Sequence, residues 1–156
     1  MNVNIVCVGK IKENYIKDGI AEYAKRLSRF CKFDVIEVSE ELCSDPNAKN
    51  ILATKNAEGE RILSKLKGYS IALDLKGQSL TSEQISKKIS SLKQSGISTV
   101  NFVIGGSFGL SQAVLDRCDF SLCLGAITYP HQLMRLILSE QIYRAFTIEE
   151  GSSYHK

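Results

Sequence analysis

Four side chains in the last part of the chain could move a proton or stabilise negative charge. They are both histidines of the sequence, His131 and His155, together with Arg144 and Tyr154. Imidazole is well suited to accept a proton near neutral pH, and guanidinium holds phosphates or developing negative charge. Chain ends usually bind little, so Tyr154 and His155, within the final segment 152–156, raise the question of whether this end is catalytic or frayed.

His131 and Arg144 also have simpler interpretations. His131 opens a predicted helix over 131–146, where the helix dipole disfavours the protonated imidazole and a lone histidine often caps or packs. Arg144 follows Glu140 by four residues, a spacing typical of a surface ion pair that stabilises little. The residues alone leave both interpretations open.

Three predicted strand-to-helix connections could hold a ligand. Residues 73–78, LDLKGQ, are better explained, taken alone, as a plain strand-to-helix turn. Residues 104–111, IGGSFGLS, contain three glycines that allow close backbone approach, but their spacing matches neither a dinucleotide fingerprint nor a P-loop. A glycine turn before a short helix capped by Ser111 explains this segment equally well. In residues 124–131, LGAITYPH, the apolar Ile127 and Tyr129 favour a wall for a flat apolar ligand over an ordinary surface loop.

The elements that must position these residues alternate along the chain. Alternation of strands and helices predicts a single α/β domain whose mostly parallel sheet carries helices on both faces. In such sheets ligands bind outside the carboxyl ends of the strands, where the three connections fall. The predicted strands are 2–8, 33–38, 70–75, 99–104 and 120–124. The predicted helices are 12–29, 48 to about 66, 112–117 and 131–146, together with one that begins at a capping box of Thr81 and Gln84 and ends at Gly96.

Composition narrows the class of protein. The chain has 156 residues, 44% of them apolar and 24% charged, which is ordinary for one globular domain. No apolar run has transmembrane length, and the N-terminus lacks the pattern of a signal peptide. Five cysteines without C-x-x-C spacing favour buried thiols in a reducing compartment. We therefore expect a cytoplasmic protein with no membrane segment and no metal, whose net charge of +3 is weak evidence for a polyanionic partner.

Longer motifs resemble the RlmH family of SPOUT-class methyltransferases. The resemblance rests on ITYPHQLMRLILSEQIYRAFTIEEGSSYHK, on FVIGGSFGLS and on the LDLKG turn, and it runs over the whole chain. This family methylates N3 of a pseudouridine in large-subunit (23S) ribosomal RNA, so the resemblance implies that activity on the assembled ribosome. It also implies a SPOUT fold whose C-terminal part forms a trefoil knot, which general topology rules would not suggest. The implied methyl donor is S-adenosylmethionine, bound in the knot without a metal.

The resemblance further implies a site shared between two subunits. Family members are homodimers, and residues 147–156 would form a C-terminal tail that reaches the partner's donor site. His131, Arg144, Tyr154 and His155 would then lie near the target base, with the choice of general base left open. The residues implied to contact the donor are Leu73, Gly105, Leu124, Gly125, Ala126, Ile127, Thr128 and Tyr129.

Two other functions remain as alternatives. One is a non-catalytic α/β module that binds nucleotide or RNA during ribosome assembly, which would tolerate loss of the final residues. The other is a methyltransferase with another target, such as transfer RNA. Basic residues of the first helix region are candidates for phosphate contact, although a solvated helix face is an equally good explanation. They are Lys10, Lys12, Lys17, Lys25, Arg26 and Arg29, interleaved with Glu13, Asp18 and Glu22.

Overall fold

The computed structural model describes residues 1–151, which form a parallel sheet between two layers of helices. The described strands run in the order β2-β1-β4-β3-β5, and every pairing is parallel. The predicted single α/β domain is therefore confirmed. The strands are β1 (Asn2–Val8), β2 (Lys32–Val38), β3 (Tyr69–Ser79), β4 (Thr99–Ile104) and β5 (Phe120–Cys123), and the helices are α1 (Asn14–Leu27), α2 (Ala48–Leu63), α3 (Ser82–Gln94), α4 (Gln112–Arg117) and α5 (His131–Glu149).

Each face of the sheet carries its own apolar cluster because successive side chains of a strand point to opposite faces. Val3, Ile5 and Cys7 of β1 belong to the cluster that packs with α5 and α3, whereas Val6 and Val8 belong to the cluster under α2 and α4. Helix α5 packs between α1 and α3 on the first face. Within residues 1–151, no helix is both long and apolar enough to cross a membrane.

Several helix starts follow from local hydrogen bonding. The predicted capping box is confirmed, since the Thr81 hydroxyl accepts from the Gln84 N–H and the Gln84 side chain accepts from the Thr81 N–H. Ser111 caps α4 by accepting from the Val114 N–H at 3.4 Å. These capping bonds determine the residue at which each helix begins, and therefore where the preceding connection ends.

Two predicted boundaries are wrong in a way that matters for the site. Strand β3 was predicted over 70–75 but extends to Ser79, and both Leu73 and Gln78 pair with Leu122 of β5. The intervening residues form a bulge, so LDLKGQ is an irregular strand rather than a plain turn. Gly77 fits there because a Cβ would lie 2.7 Å from backbone atoms of Ser121.

Helix α5 is longer than predicted. It was expected to end at residue 146, but it continues to Glu149, so the first three residues of the predicted tail 147–156 are helical. Thr147 is buried and its hydroxyl donates to the Arg144 carbonyl at 2.8 Å. The remaining part of the predicted tail, from residue 152 onward, lies outside the described residues.

Candidate functional site

A cleft opens where β3, β4 and β5 end. Its position outside the carboxyl ends of parallel strands is the one expected for a ligand in an α/β sheet. The lining residues are Leu73, Asp74, Leu75, Ile104, Gly105, Gly106, Gly109, Leu122, Leu124, Gly125, Ile127, Thr128, Tyr129, His131 and Met134.

The cleft brings together the three connections that were selected from the sequence. Of the eight residues implied to contact a donor, all but Ala126 line it. Ala126 is exposed in the same loop, between Gly125 and Ile127. His131 lines the cleft as well, from the first residue of α5. Contact of these residues with a donor stays a prediction.

The glycine loop between β4 and α4 forms a tightly backed floor. A Cβ added at Gly105 would lie 2.6 Å from the backbone of Gly109, and one added at Gly106 would lie 2.6 Å from Oε2 of Glu58. Real Cβ atoms do not approach backbone that closely, so position 105 requires glycine, whereas a side chain at position 106 would have to displace the Glu58 carboxylate. The loop thus exposes backbone groups, rather than side chains, to the cleft.

Glu58 of α2 lies behind this loop and contacts Gly106, and no local sequence pattern predicted this contact. The side chain is only 3% exposed, and its Oε1 accepts from the Glu41 N–H at 3.1 Å. Its other oxygen has no hydrogen-bond partner among residues 1–151. Burial is the main cause that raises the pKa of this carboxyl above its ordinary value.

The cleft walls are apolar and reach the surface at its mouth. Ile127 is 66% exposed and Leu75 is 61% exposed, so the apolar lining continues to the protein surface. Met134 is half-buried, packs against the core and also lines the cleft. Its position three residues after His131, on the same helix face, was the available signal. The other lining residues that were not predicted are Asp74, Leu75, Ile104, Gly106, Gly109 and Leu122.

Arg135 fixes the start of α5 against the sheet. Its side chain is fully buried, and Nη1 donates to the Gly9 carbonyl at 3.0 Å and to Oε1 of Glu37 at 3.2 Å. Nη2 donates to the Val8 carbonyl at the end of β1. A buried guanidinium that is paired and hydrogen-bonded in this way sets the position of its helix. It therefore also sets the position of His131, one helical turn earlier.

His131 is suited to accept a proton at neutral pH. Partial burial is the main cause that lowers the pKa of this imidazole, and the positive charge of Arg135 lowers it further. Lys12 acts in the same direction, whereas the Glu40 carboxylate opposes them. Because the pKa lies below its ordinary value, the neutral imidazole predominates near pH 7.

Acidification is expected to destabilise the protein through His131. Its pKa is lowered in the folded state, so the unfolded state binds the proton first as the pH falls through about 6.5. The stability that neutral His131 contributes is therefore present above that pH and is lost below it. Urea denaturation at pH 7.5 and pH 5.5 should show a larger loss for the wild type than for His131→Gln. Equal losses would contradict this account of the imidazole.

Arg144 lies away from the cleft within one chain. It comes 13 residues after His131, which corresponds to about 20 Å along a helix. Its Nε and Nη2 donate to Oε1 of Glu140 at 3.0 and 2.6 Å, and both side chains are half-buried. Tyr154 and His155 lie outside the described residues. A common pocket for His131 and Arg144 therefore requires a second copy of the chain, and the catalytic roles of all four residues stay predictions.

Comparison with known families and proteins gives full-length matches. The family model described as "Predicted SPOUT methyltransferase" matches residues 1–155. Proteins named "Ribosomal RNA large subunit methyltransferase H" are 52% identical in Latilactobacillus sakei, 54% in Limosilactobacillus reuteri and 50% in Clostridium botulinum. Each of these alignments covers all of this chain and all of the relative.

A solved structure with a related fold is a probable methylase family protein from Haemophilus influenzae. The two superimpose with a TM-score of 0.55 at 12% sequence identity. The match covers 99% of this chain and 70% of the other. At this identity the likeness concerns the fold alone.

Proposed function

Because the chain belongs to the SPOUT methyltransferase family, we propose that it transfers a methyl group from S-adenosylmethionine to large-subunit ribosomal RNA. The observation that carries the proposal is the identity of 50–54%, over the whole length, to proteins named large-subunit ribosomal RNA methyltransferases. The specific target proposed is N3 of a pseudouridine in 23S ribosomal RNA on the assembled ribosome. This target follows from the resemblance to the RlmH family, which the comparisons confirm.

The cleft has the shape and chemistry that the proposed donor requires. Its walls include Leu73, Ile104 and Leu122, which suit the flat face of an adenine ring. Gly105 and Gly106 carry no side chain, which leaves their backbone groups open for hydrogen bonds. When bound, S-adenosylmethionine supplies a methyl group attached to a positively charged sulfur.

The chain's own residues would handle the proton of the target base. N3 of a pseudouridine carries a proton that must leave as the nitrogen gains the methyl group. Neutral His131 at the edge of the cleft can accept it, and apolar walls keep competing water away. His155 is the other candidate base, while Tyr154 and Arg144 would orient the base or stabilise negative charge on its carbonyls.

We also propose that the protein acts as a homodimer. The single chain leaves Leu133, Leu136 and Ile137 of α5 half-buried. Leu136 packs against Gly19 of α1, where a Cβ would lie 2.7 Å from it. Apolar side chains thus lie around most of α5, and such a helix is normally covered on all sides. A second copy would provide the cover and could bring Arg144 and the final residues to the partner's cleft.

The trefoil knot is proposed on the same basis. Family membership supports it, and so does the course of the chain after the edge strand β5. From there the chain returns as α5 to pack between α1 and α3, near the opposite part of the sheet.

Labelled methyl transfer tests the proposed function. The full chain, S-adenosylmethionine labelled in the methyl group and ribosomes from cells that lack the modification are incubated together. We expect the label in large-subunit RNA, at one pseudouridine that mass spectrometry can locate, and more of it on assembled ribosomes than on protein-free RNA. Label in transfer RNA would support the alternative target. Donor binding without any labelled RNA would favour the non-catalytic module.

A further inference from the structure

The segment 9–13, which connects β1 to α1, is held in place by side chains from other elements. The Ile11 N–H donates to Oε1 of Glu37 at 3.0 Å, and the Lys12 N–H donates to Oε1 of Gln132 at 2.9 Å. The Gly9 carbonyl accepts from Arg135, and the Gly9 N–H donates to the Val38 carbonyl at 2.8 Å. The backbone of this loop is therefore fixed relative to β2 and α5.

The fixed loop presents two positive charges to solvent. Lys10 and Lys12 are exposed, and neither ammonium forms an ion pair within residues 1–151. The carboxylate nearest to the loop backbone, Glu37, is already paired with Arg135. Glu13, which follows in the sequence, is exposed, and Glu40 lies against Gly9.

These two lysines differ from Arg26 and Arg29, whereas Lys17 and Lys25 of α1 likewise form no ion pair within residues 1–151. Arg26 of α1 pairs with Glu22 at 2.8 Å, one turn away, and Arg29 lies 3.8 Å from Glu150. Pairing within the protein partly satisfies those guanidinium groups, as expected of a solvated helix face. Lys10 and Lys12 instead lie on a loop whose backbone is held by hydrogen bonds, and their ammonium groups have no such partners. Binding of an anion from outside the protein is therefore favoured.

The position of the loop identifies the anion. The backbone N–H of Lys12 donates a hydrogen bond to Gln132, and the residue before Gln132, His131, lines the cleft. We propose that Lys10 and Lys12 form a phosphate clamp, which binds backbone phosphates of the RNA strand that flanks the target nucleotide. The clamp rests on the proposed function and deepens it. It holds the strand while the target base enters the cleft beside His131.

The chemistry of the clamp fits a backbone contact rather than base recognition. A lysine ammonium is a compact point charge that binds phosphate oxygens without requiring a particular base. Bracing of the loop backbone reduces the entropy that each lysine would otherwise lose on binding. The logarithm of the RNA-binding constant falls with the logarithm of the salt concentration, by roughly 0.7 for each phosphate contact on a single strand. Two such contacts should therefore make this slope steeper by about 1.4.

The double variant Lys10→Gln/Lys12→Gln tests the clamp. We expect the KM for unmodified ribosomes to rise about tenfold at 0.1 M salt, with a shallower salt dependence. The value of kcat should stay within about twofold, and donor affinity measured by calorimetry should not change, since neither lysine lines the cleft. The arginine pair Lys10→Arg/Lys12→Arg should retain the wild-type KM because it keeps both charges.

A matched control separates the clamp from net charge. Lys65→Gln/Lys67→Gln removes the same charge from two exposed lysines just before β3. They lie at the amino ends of the strands, whereas the cleft lies at the carboxyl ends. A KM for the clamp variant equal to that of this control would overturn the proposal. If the wild type methylates no RNA, the proposed function fails separately. In that case, co-sedimentation with large ribosomal subunits tests the clamp. The proposal holds only if the wild type binds the subunits and the double variant does not.

Discussion

Truncation of the chain after Gly151 should lower methyl transfer by at least about 100-fold and leave donor affinity within about twofold. Among residues 1–151, those that line the cleft all fall within 73–134, so we expect the donor to bind without the final five residues. Truncation removes Tyr154 and His155, and a positioned acid or base contributes roughly 10²–10⁴-fold to a rate. Single-turnover transfer to unmodified ribosomes and calorimetric titration with donor measure the two quantities.

Point variants divide the effect of truncation between its two side chains. His155→Gln removes the proton acceptor and Tyr154→Phe removes only a hydroxyl, so the variant with the larger loss identifies the more important group. Full activity of the truncated chain would show that the end is dispensable and that His131 and Arg144 carry the chemistry. Loss of donor binding together with activity would instead assign the final residues to the donor site.

Mixing two inactive chains tests whether the tail acts on the partner's cleft. One chain ends at Gly151, and the other is full-length with Gly105→Val, which blocks the cleft because the backbone of Gly109 lies too close. Random pairing would combine one intact cleft with one intact tail in half of the dimers and restore about a quarter of the sites. A tail that acts within its own chain would give no recovery.

Local signals in the sequence were enough to predict the elements. Strand β4 and helix α4 were predicted with the observed bounds, since a run of β-branched and aromatic residues and a capping serine specify them locally. The apolar loop 124–131 was favoured as a ligand loop because Ile127 and Tyr129 do not suit an ordinary exposed turn. The glycine-rich loop 104–111 suited a ligand loop and a plain turn equally.

Features that depend on long-range contacts could not be predicted in this way. The bulge in β3 arises because Gln78 pairs again with Leu122, a contact that no local pattern encodes. Glu58 resembles any charged helix residue in sequence, and only the arrival of the glycine loop buries it. Arg135 is a charged helix residue, and such residues are mostly exposed. Its carbonyl partners lie 126 and 127 residues earlier in the chain, so its burial could not be foreseen.

Replacement of Arg135 by methionine should lower the free energy of unfolding by about 3–5 kcal/mol, as expected when one partner of a buried ion pair is removed. Methionine fills a similar volume, but it leaves the carbonyls of Val8 and Gly9 without their donor. Glu37 would also lose its guanidinium, although its side chain is 31% exposed and partly hydrated. Urea denaturation at fixed protein concentration, with equal m-values, measures the change.

Glu37→Gln is the matched control for the loss at Arg135. The amide oxygen can still accept from both Arg135 and the Ile11 N–H, so we expect a change below about 1 kcal/mol. A loss below about 1 kcal/mol for Arg135→Met would show that the guanidinium does not fix α5. If Arg135→Met fails to fold, Arg135→Lys, which can still reach one carbonyl, should show an intermediate loss.

The position of Arg135 also predicts which functions fail together in a folded variant. It anchors the start of α5, and hence His131 and Met134 in the cleft, and it binds Gly9 of the phosphate-clamp loop. Arg135→Met at low temperature should therefore weaken donor binding and raise the KM for ribosomes together. Loss of Lys10 and Lys12 should raise the KM alone. This difference distinguishes Arg135, which positions both the cleft and the clamp loop, from Lys10 and Lys12, which would contact the RNA.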